Sequence, residues 1–579
     1  MNENTFFMIM FAFGSVMGLI TLGYVIRQAF SRQSGEVGGW ELRGAGRRIG
    51  AVLRTTLAEG LRAKVASGFA ALILISIPVF WLTSEGDGTI KGKVQMFFTY
   101  SLGFSLFLLA ILTVLFSCRS LSVEIASRQI YGIVSKPIPR WQIVVGKWLG
   151  VILLDLVLII LAGVMTWTGT RMTVSSFTKD LEKELVTYGN LTPGQAATAV
   201  AALAEVRGVG RKGLESPVVT AICEMLGKTR EEVGDILLRL PEATRVNLRR
   251  FDELRRQVLV ARAMIPVEVP DFTKEIEEIY QSLKNDERLP TDWSEKRIRD
   301  SITRELMLSY CSIGYAEGRT WEIKGPPPEE GKDWVMSLRF KMRAPRQPIA
   351  TQVGDITLET DQLLCEWALG DPRKSNFLPA PPGQYPINTA NEFEIPQQGI
   401  EKDGTILLSF MNVDPRRIEA IFDLPGGALS VMYRIGPWEL GLVQALLAGF
   451  IPLCCLAAFG VCASTFLSFP VGSLIVLTLF VISSSMGFVA EALAVAKEYA
   501  PPEHDRELAW EVRRLTVETM DWALSIGDLD PINRLMEGHA VGWPALWRAT
   551  WKYVLIKSSL VMILAVMIFR RRELAAVIV

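Results

Sequence analysis

The chain has 579 residues, is half apolar and has a mean hydropathy of +0.28, which favours a membrane protein over a soluble one. Its 61 basic residues balance 61 acidic ones, so no overall field points to nucleic acid as a partner. Seven scattered cysteines, no Cys-x-x-Cys pair and only two histidines, His504 and His539, exclude an encoded zinc centre or disulfide framework.

A helix needs about 20 apolar residues to cross roughly 30 Å of hydrocarbon. Seven stretches approach that length: 5–26, 65–82, 95–117, 148–166, 440–464, 471–490 and 553–569. The first lacks a basic start and a small-residue cleavage site, and reads as a retained anchor. Basic residues in short flanking segments resist transfer across the bilayer. Three such clusters occur: Arg27, Arg32, Arg43, Arg47, Arg48, Arg54, Arg62 and Lys64; then Arg119, Arg128, Lys136, Arg140 and Lys147; and finally Arg570, Arg571 and Arg572. Span parity places all three in the cytoplasm together. It puts the N-terminus, 83–94, 167–439 and 491–552 outside, in a multi-pass protein of the cytoplasmic membrane whose C-terminus is cytoplasmic. Simple anchoring accounts for the charge of each cluster equally well. Residues 43–64 read as an amphipathic helix, with Leu42, Ile49, Val52, Leu53, Leu57, Leu61 and Val65 toward one side, lying along the inner leaflet and leading into the second span.

Residues 171–436 are polar and charge-balanced. The first part is helical: 191–206 opens on Thr192-Pro193 with Gln195, and 241–264 carries Val246, Leu248, Phe251, Leu254 and Val258 at helical spacing. The second part alternates like strands at 334–343, 356–369, 404–413 and 429–436, with turn signals at Pro326-Pro327-Pro328, Asp414-Pro415 and Pro425-Gly426-Gly427. A helical subdomain followed by a small antiparallel sandwich is expected. The "GKT" at 227–229 echoes a phosphate loop, but Ile222 stands where that loop needs glycine, and "TREE" at 229–232 reads as a helix N-cap. Glu182, Glu184, Glu277 and Glu278 read as solvated helix faces, with no carboxylate pair suited to acid-base chemistry.

Between the third and fourth spans lies "EIASRQIYGIVSKPIPRWQIVVGKWLG", residues 124–150. It holds an acidic residue, Glu124; a short helix; a break at Lys136-Pro137; an Arg140-Trp141 step; and Gly146-Lys147 leading into the next span. This layout resembles the cytoplasmic loop of type-2 ABC exporter permeases, the family that includes drug, polysaccharide and copper-enzyme maturation permeases. The end "IFRRREL" at 568–574 is similar to that family's terminus. Where the family often has Ser before the Arg, this chain has Pro139, which can start the following helix. The likeness covers roughly 43–168 and 438–579, leaving out the exterior insertion and the first span.

The resemblance implies that 119–133 is a coupling helix seated on a separate ABC ATPase subunit. Glu124, Arg128, Lys136, Pro137, Arg140, Trp141 and Lys147 would carry the ATPase coupling, and Trp141 and Trp148 would anchor at the membrane interface. No cofactor is expected on this chain, ATP and Mg belonging to the partner. A second permease copy or a paralogue would complete the pathway. The expected fold is mainly α: a polytopic α-helical membrane protein with a six-helix permease core, one extra N-terminal span and a large extracytoplasmic α+β insertion. Its parts are 1–42, the extra anchor and linker; 43–168, the first half of the core with the coupling loop 119–147; 169–319, a helical subdomain; 320–437, a β-rich subdomain; and 438–579, the second half with an external loop at 491–552. That loop's Trp510, Trp522, Trp543, Trp547 and Trp551 fit either helices at the outer leaflet or ordinary packing.

Asp155 sits inside a span, where a lone charge costs several kcal/mol. It is the leading candidate for a functional membrane residue, with a helix-helix hydrogen bond as the alternative; Gln444 and Lys557 are weaker, Lys557 lying where it can snorkel. The expected function is the permease subunit of an ABC exporter, a transport subunit and not an enzyme. The alternative is a receptor or scaffold whose exterior domain binds a ligand or partner protein. A membrane-embedded enzyme has only Asp155 in its favour.

Overall fold

The structure, a computed structural model, describes residues 41–62, 64–84, 90–129, 138–189, 192–196, 251, 254–286, 295–326, 336–345, 348, 350–353, 356–371, 377–379, 382–395, 399–401, 403–424, 427–498 and 530–571. The expected span at 5–26, the "GKT" segment, Lys136 and Pro137, and Trp510 and Trp522 lie outside them.

Helix α1 (Glu41–Arg62) is followed by α2 (Lys64–Thr83), with a bend of 62° between them. Helix α3 (Ile90–Ala126) and helix α4 (Arg140–Gly189) come next. Past the insertion that follows α4 come α7 (Trp438–Ser464) and α8 (Phe469–Glu498). The last described elements are α9 (Pro531–Met536), α10 (Trp543–Ala549), a π-helical stretch (Thr550–Ser558) and α11 (Ser559–Arg571). Among the described residues four helical runs are long and apolar enough to cross a membrane: α3, α4, α7 and the run Trp543–Arg571. The bent pair α1 and α2 makes a fifth if it is one span, and Phe469–Ser485 is a shorter apolar helix. These runs share one core in which Phe97, Leu109, Val151, Leu154, Leu456 and Tyr553 are almost fully buried.

α4 is the longest element, 50 residues or about 75 Å at about 1.5 Å per residue. It carries the span expected at 148–166 and continues beyond Thr168, where the sequence reading ended the first half of the core. The polar sequence past Arg171 hides this continuation, because its buried face narrows to residues such as Leu181 and Leu185.

The inserted region begins with the cap expected at Thr192. Its backbone N–H donates to Gln195 Oε1 at 3.1 Å, and the Gln195 N–H donates to Thr192 Oγ1 at 3.4 Å. The helical reading of 241–264 is corrected at its end: β1 (Val260–Pro266) is a strand. Tertiary pairing overrides the helical spacing that Phe251, Leu254 and Val258 suggest, since β1 lies along β13 (Leu429–Pro437), with Val260 opposite Pro437 and Pro266 opposite Ser430. Helices α5 (Thr273–Asn285) and α6 (Glu295–Cys311) follow β1, joined by the Arg299–Glu277 ion pair.

The remaining strands are β2 (Ser312–Ile313), β3 (Gly318–Lys324), β4 (Met336–Arg343), β5 (Thr351–Val353), β6 (Ile356–Leu358), β7 (Gln362–Leu369), β8 (Leu378–Pro379), β9 (Gly383–Pro386), β10 (Ala390–Ile395), β11 (Thr405–Asn412) and β12 (Ala420–Phe422). One antiparallel sheet runs β1-β13-β4-β12-β2, with β10 also on β4; a second runs β3-β11-β7-β8, with β9 also on β7. Their alternating residues supply one apolar core: Leu338 and Phe340 from β4, Leu363 and Trp367 from β7, Leu408 and Phe410 from β11. The Trp367 ring touches Phe340 and Phe410 at centroid distances of 4.7 and 4.8 Å.

Candidate functional site at one end of the helix bundle

The stretch that stands out in the sequence lies where α3 ends and α4 begins. α3 stays helical through Ala126, so 119–126 are its last two turns and not a separate helix. It closes in a turn, with the Arg128 N–H on Ile125 O at 3.2 Å and Arg128 exposed at φ 60°. Pro139 stands just before α4, its carbonyl accepting the Gln142 N–H at 2.9 Å, so proline starts this helix as expected.

α4 then meets α1 at very close range. A Cβ on Gly146 would lie 2.7 Å from Val52 Cβ, and one on Gly150 would lie 2.7 Å from Thr56 Cβ. Two glycines one helical turn apart let the backbones touch, the small-residue mode of packing in membranes. This contact carries Glu59 of α1 to Lys147, whose Nζ is 3.2 Å from Glu59 Oε2 and also pairs with Glu124 of α3. Lys147 is 1% exposed and Glu124 is buried, whereas Glu59 is half exposed. One ammonium therefore binds three helices together. A buried lysine is tolerated only when its charge is met, and two carboxylates meet it. Neither Lys147 nor Glu124 presents a free face, and any part they take in coupling is exerted from inside the junction.

Arg140 reaches the other way. Its Nη1 donates to Phe569 O at 2.7 Å and to Arg570 O at 3.0 Å, and its guanidinium lies 5.6 Å from the Phe569 ring. A cation at the carbonyl end of α11 answers that helix's dipole. Trp141 packs beside Leu121, Val461, Val566 and Phe569, and the Trp148 Nε1 donates to Cys454 O at 3.0 Å. Of the expected coupling residues, Glu124, Arg140, Trp141 and Lys147 are thus gathered in one junction with α1 and α11. Arg128 stands at its exposed rim. The sequence reading missed Glu59, Thr56 and Gly150; the signal was an acidic residue and small residues on the side of α1 and α4 that a plain hydrophobic stripe ignores.

Further along α4, Asp155 is buried. The Thr113 hydroxyl of α3 lies 2.9 Å from Asp155 Oδ2 and 2.7 Å from Leu109 O, sharing one proton between two acceptors. Asp155 Oδ1 has no hydrogen-bond partner among the described residues, and neither has either side-chain polar atom of buried Gln444. Lys557 does not snorkel: it is buried, with Nζ 4.9 Å from the Tyr553 ring. Among the described residues no group of three or more His, Cys, Asp or Glu side chains converges on a metal position.

Residues 5–206 match the family model described as ABC-2 family transporter protein. No curated protein and no solved structure matches the chain. The match includes the first expected span, which the resemblance had set aside, and holds all of α1 to α4. Glu59, Glu124, Arg140, Trp141 and Lys147 all lie inside the matched region, over which the chain is similar to ABC-2 family transporter proteins.

Proposed function

We propose that this chain is an ABC-2 type permease, the membrane-spanning subunit of an ABC exporter, and that a separate ATPase chain docks on the end of the bundle that holds Arg128, Arg140 and Lys147. The observation that carries this reading is the junction: a push delivered to 128–139 meets helix ends already bound into one body. Lys147 passes it to α1 and α3, and Arg140 passes it to α11. Rigid coupling of this kind is what lets a short cytoplasmic segment move a membrane helix. ATP and Mg stay on the partner, and this chain performs no catalysis of its own. Seven spans with an extracytoplasmic N-terminus and exterior domain, a cytoplasmic C-terminus, and a second permease copy complete the proposal.

Replacing Arg140 and Trp141 with alanine tests it. The expected result is loss of the co-purifying ATPase from detergent extracts while the permease itself remains folded. Unchanged association and unchanged ATP turnover would overturn the reading. A receptor or scaffold role is favoured by one feature, an open cleft of about 490 Å³ lined in part by Ser309, Ser312, Glu317, Arg319 and Glu419. Ligand binding there, with no ATPase needed for function, would support that second reading.

A further inference from the structure

The exterior domain joins the helix bundle by shared backbone structure. β13 ends at Pro437 and α7 begins at the next residue, Trp438. α4 runs out from the bundle, and its Phe177 ring stacks on Phe251 at 5.6 Å. β1 is the edge strand of its sheet, and residues 538–540 close that edge: the Arg262 N–H donates to Gly538 O and the Ala540 N–H donates to Arg262 O, both at 2.9 Å. Arg262 and His539 form a parallel bridge, and the chain enters the last membrane run three residues after Ala540.

Side chains clamp this strap. Buried Arg262 pairs with Glu392, donates to Ser337 Oγ at 3.2 Å and donates to Glu537 O at 2.7 Å. Arg339 pairs with Glu537 at 2.6 Å and reaches the His539 ring at 3.1 Å. Gly538 is required by geometry: its φ is +69°, and a Cβ there would lie 2.0 Å from Gln257 O. The membrane side is tied in as well. Lys91 of α3 bonds Gln257, and Gln95 of α3 donates to Met536 O at 3.0 Å.

We propose that this strap is a coupling joint: residues 536–540, laid along β1, fix the exterior domain to α3, α7 and the last span, so that ATP-driven movement of those helices moves the exterior domain with them. The proposal rests on the reading of the chain as an ATPase-driven permease. Strand addition suits the task because its paired backbone bonds fix both distance and direction. Opening it leaves the Arg262 charge buried against fewer partners.

Hydrogen exchange of the purified permease bound to its ATPase, with and without a non-hydrolysable ATP analogue, tests this. In the unaltered protein the analogue is expected to change exchange in α1, α3 and the exterior sheets together. Gly538→Ala is expected to speed exchange at the Arg262 and Ala540 amides about tenfold. It should also remove the nucleotide response of the exterior sheets while α1 and α3 keep theirs. Arg339→Gln, which cuts the side-chain clamp and spares the backbone bridge, should give a smaller loss in the same direction, and decides the matter if Gly538→Ala does not fold. An exterior domain indifferent to nucleotide while α1 and α3 respond, or fully responsive after the strap is cut, would overturn the joint alone. Failure of any ATPase to bind would overturn the permease reading, and the joint with it.

Discussion

Lys147 Nζ lies 3.2 Å from Glu59 Oε2 while the same ammonium pairs with Glu124, so a single buried charge ties α4 to both α1 and α3. The two carboxylates contribute unequally. Glu124 is buried and Glu59 is half exposed, where water screens the pair. Lys147→Met strands Glu124 and should cost about 3–5 kcal/mol, and Glu124→Gln should cost a similar amount, whereas Glu59→Gln should cost less than about 1 kcal/mol. The double change Glu124→Leu with Lys147→Met should recover most of the loss. Thermal unfolding of the four variants in detergent checks the ranking.

Close packing of α1 on α4 makes a separate prediction. With both hypothetical Cβ atoms at 2.7 Å from α1 side chains, Gly150→Val forces the helices apart and should destabilise by about 1–3 kcal/mol. Gly150→Val combined with Thr56→Ala should be milder, because the α1 atoms in the way are then gone. A double-mutant cycle measured by unfolding reads the coupling directly.

Asp155 separates structure from function by substitution. Asp155→Asn keeps an acceptor for Thr113 and should leave stability within about 1 kcal/mol. If the carboxylate serves transport, ATP turnover of the complex falls in Asp155→Asn although the protein assembles normally. Unchanged turnover would assign Asp155 to helix packing.

His539 gives the strap a pH dependence. Burial first, then the charges of Arg339, Arg262 and Arg534, push its imidazole from the usual 6.5 down to about 3. Glu537 Oε2, 3.3 Å from Nδ1, opposes this shift without reversing it. The folded ring therefore stays neutral, with one nitrogen free to accept from Arg339. At His539 the unfolded chain takes up a proton below about pH 6.5 and the folded protein does not, so this residue's contribution to stability is constant above that pH and falls as the pH drops toward 3, with a slope of about 1.4 kcal/mol per pH unit at most. Denaturation of the intact protein at pH 7.5, 6 and 5 should show the decline, and His539→Asn should flatten it by one proton's worth.

The membrane runs expected at 95–117, 148–166, 440–464 and 553–569 and several strands were legible because long apolar runs and strict alternation leave few other folds. The expected stretch at 356–369 breaks in two because Asp361 takes a φ of 64° between β6 and β7. β1 was hidden: Phe251, Leu254 and Val258 set a helical rhythm up to its first residue, and only the long-range pairing with β13 reveals the change. Arg140 and Lys147 were singled out by the resemblance of their loop, yet nothing in that layout says that one caps α11 and the other is buried. Those facts depend on which helices cross, and the crossing of α1 and α4 is written in Gly146 and Gly150 together with Val52 and Thr56, residues far apart in the chain.

An ATPase can reach the junction of α1, α3, α4 and α11 only if that end of the bundle faces the cytoplasm. A cysteine placed at Arg128, exposed at the rim of the junction, can be labelled in sealed vesicles with a maleimide that does not cross the bilayer. The expected result is labelling of Arg128→Cys only from the cytoplasmic face, with protection once the ATPase is bound. Labelling from the outer face would contradict the account.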